Sequence, residues 1–522
     1  MKAKRILSLI VTGAMATSMA LFAGCGDYTK NKPVYDGSDK HFDYYAYHSV
    51  SDGNWVVNGE TFTAGEDFRT VEKIREYKEA GMTILMPQSK ASVTYGTQEE
   101  LATLNHVMDI SLEGGIDKVI VADYRLVLLC RESSAGGIIG EGDMTENSLK
   151  STLKIENKFA DEAALDEYVR SCIEQYNDHE AFYGVLLQDE PDYKMATSYG
   201  QVYKSIQRVC PDAYIQVNLL PMERSTFKKY PPLPGNEDVD ESGRLTADVS
   251  DEELVTRYRA YIGSFIDNTG CNYLQYDQYP MTENTGILTE YIRSFQESAE
   301  FCKERNIGLK HITQTISYSV GGALSRRQIT EKEARYLNNT MLGFGVKQIM
   351  YYTFWTKSEN STAETTVDGS CFMDWYGNKT DLYYFMQKII GENSQFENVI
   401  LNFDYTSSCT YSMTPTVYSD QQVGMAKSGT FQKISDVTID KECALVTELY
   451  DNDKDNYMYM LQNVVDPQYQ GRKTYQTISV TFPKEYKYVS VFKNGERTEC
   501  KLKDGKYTVS QNPGEAVFVI PY

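Results

Sequence analysis

The feature that most constrains this chain is a rhythm. From about residue 43, apolar or β-branched runs alternate with amphipathic stretches. Eight such runs occur: FDYYAYHSV (near 43–51), TILMPQ (83–88), KVIVADYRL (118–126), FYGVLLQDE (182–190), YIQVNLL (214–220), NYLQYDQY (272–279), LKHITQTISY (309–318) and KQIMYYTFW (347–355). Between them lie helical patterns such as FRTVEKIREYKEAG, with Val71, Ile74 and Tyr77 at helical spacing, ALDEYVRSCIEQY, ELVTRYRAYIGSFI and LTEYIRSFQESAEFCKERN. Alternation of this kind implies parallel strands joined by crossover helices. Eight units is the count of a (β/α)8 barrel. An open doubly wound sheet would carry a glycine-rich phosphate turn after its first strand, and HSVSDGNW is not one.

The connections agree. Helices return to strands through short links, EAGM, EGGID, NTGC, RNIG and GFGV, several with glycine where a helix C-cap wants it. The long excursions, 127–160, 221–250 and 356–380, all come after strands, which elaborates one end of the barrel only. After the helical stretch DLYYFMQKIIGE the texture changes. Short alternating runs (ALVTELY, YMYMLQNV, YQTISVTF, KYVSVF, AVFVIPY) are separated by the turn signals KNGE, KDGK and NPGE. The expected fold is therefore α/β, a TIM barrel over 41–398 followed by an antiparallel β-sandwich over 399–522.

Residues 1–24 read as a leader. Lys2, Lys4 and Arg5 precede an apolar run from Ile6 to Phe22, and Leu21-Phe22-Ala23-Gly24-Cys25 resembles a bacterial lipobox. The expectation is a lipoprotein exported and anchored to the outer face of a bacterial membrane through Cys25. Residues 25–40 read as a tether, and the lipid is the expected link to the membrane. The formal net charge is −21 with no basic stripe, so nucleic acid is not an expected partner. Ten cysteines are scattered without CxxC or Cys/His clustering, so no metal site or cofactor is expected. Cys172 and Cys302 fall within helical patterns and read as buried thiols.

In such a barrel the C-terminal strand ends carry the chemistry. They hold His48, Asp123, Arg125, Gln188, Asp189, Glu190, Asn218, Tyr276, Asp277, Tyr279, Gln314, Tyr352 and Trp355. Acids, an arginine and aromatics together suit a carbohydrate: carboxyls protonate a glycosidic oxygen, and rings stack on sugar faces. Glu190 stands out. It ends an apolar strand, where partial desolvation raises a carboxyl pKa and keeps the proton an acid catalyst needs. Pro191 is expected to hold it extended. The bland reading is a solvated strand end with Asp189 or Asp192 capping the next helix. His48, Asn218, Tyr276, Tyr279, Gln314 and Trp355 are candidate substrate contacts. Asp123 and Arg125 either bind substrate or pair with each other. Trp375 and Asp374 are candidates for a lid wall, and Glu359 and Glu364 for a further carboxylate. No Ser/His/Asp arrangement, P-loop or HExxH is present in the sequence.

Gln188-Asp189-Glu190-Pro191 resembles the end of the fourth strand in clan A retaining glycoside hydrolases, where a glutamate followed by proline is the acid/base. The eighth strand YYTFWT and the terminal GEAVFVIPY are similar to the family 42 type of β-galactosidase. The resemblance implies a glycoside hydrolase with Glu190 as general acid/base. The sequence departs from the clan at two places. Asp189 stands where asparagine is usual, and Gln314 stands on the seventh strand where the nucleophilic glutamate is expected. Asp277 is the best candidate partner. Its context LQYDQY is similar to the Tyr-Asp strand of family 18 chitinases, and the Asp189-Glu190 pair is similar to family 20 and 123 hexosaminidases. Those families imply a substrate-assisted route, in which the aspartate orients a substrate acetamido group. The alternative, kept open by Gln314, is a non-catalytic glycan-binding lipoprotein on a degenerate barrel.

Overall fold

The computed structural model describes residues 35, 40–57, 60–87, 91–234, 249–283, 286–320, 326–356, 365–366, 371–412, 430–441, 443–468 and 475–522. Cys25, Glu359 and Glu364 lie outside the described residues. Seven parallel strands and one segment joined through a single bridge close a barrel: β1 (Asp43–Ala46), β2 (83–86, bridged at Leu85), β3 (Val119–Val121), β4 (Phe182–Asp189), β5 (Tyr214–Asn218), β6 (Tyr273–Gln278), β7 (Gly308–Gln314) and β8 (Val346–Tyr352). Register runs round the ring: Tyr45 opposite Met350, Met350 opposite Ile312, Ile312 opposite Asp277, Leu219 opposite Tyr276, Gly184 opposite both Tyr214 and Ile120, and Val119 opposite Leu85. The Thr83 amide donates to the Tyr44 carbonyl at 2.8 Å, which joins β2 to β1. Gly184 is required at the β4–β5 contact, because a Cβ there would lie 1.9 Å from the Tyr214 carbonyl oxygen.

A long helix succeeds each strand: α1 (Val71–Glu79), α2 (Gln98–Gly114), α3 (Glu162–Ile173), α4 (Ala196–Val209), α5 (Asp251–Thr269), α6 (Tyr291–Arg305), α7 (Glu331–Gly343) and α8 (Asp381–Ser394), with a short further helix, Tyr124–Leu129, ahead of α3. Their ends are written in the sequence. Thr97 with Glu100 and Thr330 with Glu333 form capping boxes. Gly115 and Gly270 end α2 and α5 in the left-handed conformation. In RNIG the left-handed cap is Asn306, a residue type that also tolerates that region, rather than the glycine expected there.

Strand alternation sorts the side chains. Tyr45, Tyr47, Ile84, Met86, Ile120, Ala122, Leu186, Ile312 and Met350 fill the barrel interior, and their neighbours pack on the helices. Polar residues lie inside too. Tyr45 donates to Gln216 at 2.6 Å, and near the base Lys310 donates to the Tyr214 hydroxyl at 3.0 Å, its ammonium 3.7 Å from the Tyr273 ring centre. Burial pulls the Lys310 ammonium down to about 7.

The C-terminal part is two antiparallel sheets. One has the order β9 (Asp404–Ser412), β11 (Cys443–Asp451), β12 (Asn456–Asn463), β17 (Ala516–Pro521), β14 (Tyr488–Lys493), β15 (Glu496–Lys501). The other has β10 (Asp436–Ile439), β13 (Gln476–Thr481), β16 (Lys506–Gln511). Val446, Leu461, Ile478, Val480 and Val519 form the core between them. In KNGE and KDGK both central residues have positive φ, the backbone of the turn that matches strand twist. The large sheet also packs on α7, so closely that a Cβ on Gly343 would lie 2.3 Å from the Met460 methyl. Tyr35, within the stretch read as a tether, is instead buried, its ring 5.6 Å from that of Phe403. Cys172 and Cys302 are buried thiols without a disulfide, and burial pushes the Cys172 thiol up to about 12.

Candidate active site

The barrel mouth is organised by an irregularity in β4. Leu186 is opposite Gln216, but Asp189, not Gln188, is opposite Asn218. One extra residue is accommodated, a bulge that re-aims the side chains at the strand end. Without it Gln188 would share the inward face of Leu186; with it Asp189 does. Gln188 is turned aside, accepting from the Arg131 guanidinium at 2.6 Å. Asp189 Oδ1 accepts from the Tyr47 hydroxyl at 2.9 Å and the Asn218 amide at 2.8 Å. The same Asn218 nitrogen donates to Asp277 Oδ1 at 3.1 Å. One buried amide thus ties together carboxyls from β4 and β6.

Glu190 does not take the extended conformation expected of it. Its φ is +45°, in the left-handed region. The chain must leave the bulged strand, Pro191 disfavours the right-handed helical alternative, and the left-handed one carries strain of about 1–3 kcal/mol. The turn is held on both sides. The Glu190 amide donates to the Asn218 carbonyl at 3.1 Å, and the Tyr261 hydroxyl donates to the Pro191 carbonyl at 2.8 Å. The Glu190 carboxyl is thereby brought near enough to Asp277 for each to act on the other's proton. Burial and the Asp189 charge push Glu190 up to about 7, against which Lys229 and Asp277 pull. Burial and the neighbouring Glu190 likewise raise Asp277 well above the usual carboxylate range. Two acids this close share protons rather than both ionising.

Around this cluster stands a wall of tyrosines. Tyr279 stacks on Tyr352, ring centres 5.1 Å apart, and acts on the Asp277 carboxyl. Tyr47 meets Tyr352 edge-on at 5.8 Å, and Tyr318 meets Tyr279 at 6.5 Å. Tyr279, Tyr318 and Tyr352 are half-buried, so they keep surface toward solvent. His48 lies in the turn after β1, half-buried with φ +50°. Beyond Asp277, Gln278 donates to Glu223 Oε1 at 3.1 Å, which brings a further carboxyl from the loop after β5. Among the described residues, no group of three or more His, Cys, Asp or Glu side chains is arranged to hold a metal ion.

Five candidate contacts lie elsewhere. Asp123 alternates with inward Ala122 and so points to the helix layer. There it caps the helix Tyr124–Leu129, accepts from Tyr176 at 3.0 Å and pairs with Arg125 at 2.7 Å; both are buried. Of the two readings for these residues, mutual pairing holds. Tyr276, next to inward Asp277, packs outward on Phe295 and His311. Gln314 is consumed as a clasp: its oxygen accepts from the Met281 amide at 2.9 Å, and its nitrogen donates to the Met281, Ile316 and Arg327 carbonyls. Trp355 is only 2% exposed and packs on Phe68 at 4.8 Å, so it offers no open face. Trp375 is also buried, and Asp374 is spent on its own loop, accepting from Asn378. Sequence reasoning missed Tyr47, Tyr318 and Glu223. Tyr47 was findable, because it shares a strand face with Tyr45; the two loop residues carry no periodic signal.

No family model matches the chain, and no curated protein matches it. Among solved structures the chain is similar to an α-amylase from Geobacillus thermoleovorans complexed with acarbose, at 10% identity over 94% of this chain and 99% of that one, TM-score 0.48. It is also similar to a GH27 β-L-arabinopyranosidase from Geobacillus stearothermophilus, at 11% identity over 93% and 97%, TM-score 0.46. A third likeness is to a GH30 endoxylanase from Clostridium papyrosolvens, at 10% identity over 93% and 98%, TM-score 0.38. The fold rests on the closed strand register itself, and function is read from the side chains of the mouth.

Proposed function

We propose that this protein is a glycoside hydrolase working at the barrel mouth with Glu190 as its general acid. The observation that carries the reading is the position of the Glu190 carboxyl at the end of β4, beside Asp189, which Asn218 ties to Asp277. Burial and the Asp189 charge leave Glu190 holding a proton near neutral pH, when a glycosidic oxygen must receive one. As the bond from the anomeric carbon to that oxygen breaks, positive charge develops on the sugar. Burial and the neighbouring carboxyls hold Asp277 above the usual carboxylate range, which makes it a poor nucleophile. Gln314 forms no glycosyl ester. The electron pair for the anomeric carbon is therefore best supplied by the substrate, from the carbonyl oxygen of a 2-acetamido group. Asp189, which accepts from Tyr47 and Asn218, is placed to orient that group. Glu190, now a carboxylate, then takes a proton from the water that opens the cyclic intermediate. The half-buried tyrosines would stack on the sugar.

A panel of aryl glycosides with and without a 2-acetamido group tests this. Hydrolysis is expected only for the acetamido sugars. Glu190→Gln should lower kcat by about 100- to 10,000-fold while glycan still binds. Equal cleavage of a plain galactoside would end the substrate-assisted route. If both proteins bind glycans and neither cleaves any, the chain is a binding protein. The same reading puts the protein on the outer face of a bacterial membrane, lipidated at Cys25. Incorporation of labelled palmitate, lost in Cys25→Ala, is the expected result.

A further inference from the structure

Beside Tyr318 lies an arginine whose guanidinium the proton chemistry above does not use. Arg326 lies past the loop after β7, where its backbone pairs with Tyr318: each amide donates to the other's carbonyl, at 2.6 and 2.9 Å. It is 7% exposed, yet Nε and Nη1 have no hydrogen-bond partner. Its neighbour Arg327 shows the contrast, since Glu333 and Asp466 take that guanidinium at 2.6 and 3.1 Å. The surroundings of Arg326 lead to the acid cluster from two sides. Its charge acts on Glu223, which accepts from Gln278 beside Asp277. It also acts on Tyr318, whose ring meets Tyr279. Glu223 does not satisfy it, because the Glu223 oxygens receive Gln278 and Ser225 instead.

Guanidinium nitrogens buried without hydrogen bonds are costly, and their planar fork matches the paired oxygens of a carboxylate. We propose that Arg326 is the subsite for a carboxylate-bearing sugar in the substrate, so that the glycan cleaved is acidic. The proposal rests on the glycosidase reading and names its substrate class. Two sugar units supply such a carboxylate beside a 2-acetamido sugar: a uronic acid, or an N-acetylhexosamine carrying a lactyl ether.

The test is binding to the full-length Glu190→Gln protein by calorimetry, with three disaccharides that all contain N-acetylglucosamine. Their second units are glucuronic acid, N-acetylmuramic acid and, as the neutral reference, N-acetylglucosamine. One acidic disaccharide is expected to bind about tenfold or more tightly than the neutral one, and which of the two does so identifies the source. Adding Arg326→Gln should erase that preference; adding Arg326→Lys, which keeps charge but loses the fork, should leave part of it. Should the glutamine variant not fold, the thermal shift of the wild-type chain decides. Glucuronate or N-acetylmuramate should raise its melting temperature more than N-acetylglucosamine at equal ionic strength. Equal binding of all three disaccharides overturns the proposal and leaves the glycosidase reading standing. So does a preference that survives Arg326→Gln. Binding of none overturns both.

Discussion

Glu190 is held at the barrel mouth by its neighbours rather than by its own conformational preference. Burial and Asp189 raise its carboxyl to about 7, so activity that depends on its proton should fall as pH rises through that value. Stability has the same sign. Between pH 4.5 and about 7 the folded chain keeps a proton that the unfolded chain releases, so this stabilising contribution is lost as pH rises across that window. Glu190→Gln should flatten the pH dependence of the melting temperature there and lie above wild type on the alkaline side. A melting profile with the slope unchanged would refute the raised carboxyl. Tyr47 belongs to the same scale. Tyr47→Phe removes one of the donors to Asp189. With a hydrogen bond to a charged group worth about 1.5–3 kcal/mol, kcat/KM should drop about ten- to hundredfold. Glycan affinity and melting temperature should move far less.

Among elements, the bulge in β4 and the clasp at the end of β7 decide which side chains face the barrel mouth. Gln314 holds the residues around Met281, Ile316 and Arg327 through four hydrogen bonds, which places Tyr318 and Arg326 beside the end of β6. Gln314→Glu would set a carboxylate against three carbonyl oxygens. It should cost about 2 kcal/mol or more in denaturant unfolding and create no activity on plain glycosides. Gain of such activity would show that a nucleophile position exists there after all. Alternation was legible in every strand of the barrel, and so was the clustering of acids at strand ends. The phase of that alternation was not. Nothing in FYGVLLQDE marks the extra residue that turns Asp189 rather than Gln188 inward. Asp123 and Tyr276, polar residues on inner strands, pass for site residues until the register shows them facing helices.

For the whole molecule, the barrel and sandwich are joined through α7 by buried charge as well as apolar contact. Arg327 lies between Glu333 on α7 and Asp466, which comes after β12, and all three are buried. Removing one partner leaves uncompensated charge, so Arg327→Met should lower stability by about 3–5 kcal/mol in chemical unfolding. The barrel and sandwich should still unfold in one transition, since the large sheet and α7 share a core. Separate transitions in the wild type would contradict that shared core.

The sequence by itself determined the number and order of βα units, the change to antiparallel strands near residue 400, the turn chemistry of KNGE and KDGK, and Glu190 at a strand end. All are local: periodicity, caps and turn residues act over a few positions. Tertiary structure alone decided that Glu190 lies near Asp277, that Asn218 bridges Asp189 and Asp277, that tyrosines rather than Trp355 line the mouth, and that Arg326 is buried without a hydrogen-bond partner at Nε and Nη1. Those facts join residues far apart in the chain. They depend on absolute register, which closure of the barrel sets and no short stretch of sequence encodes.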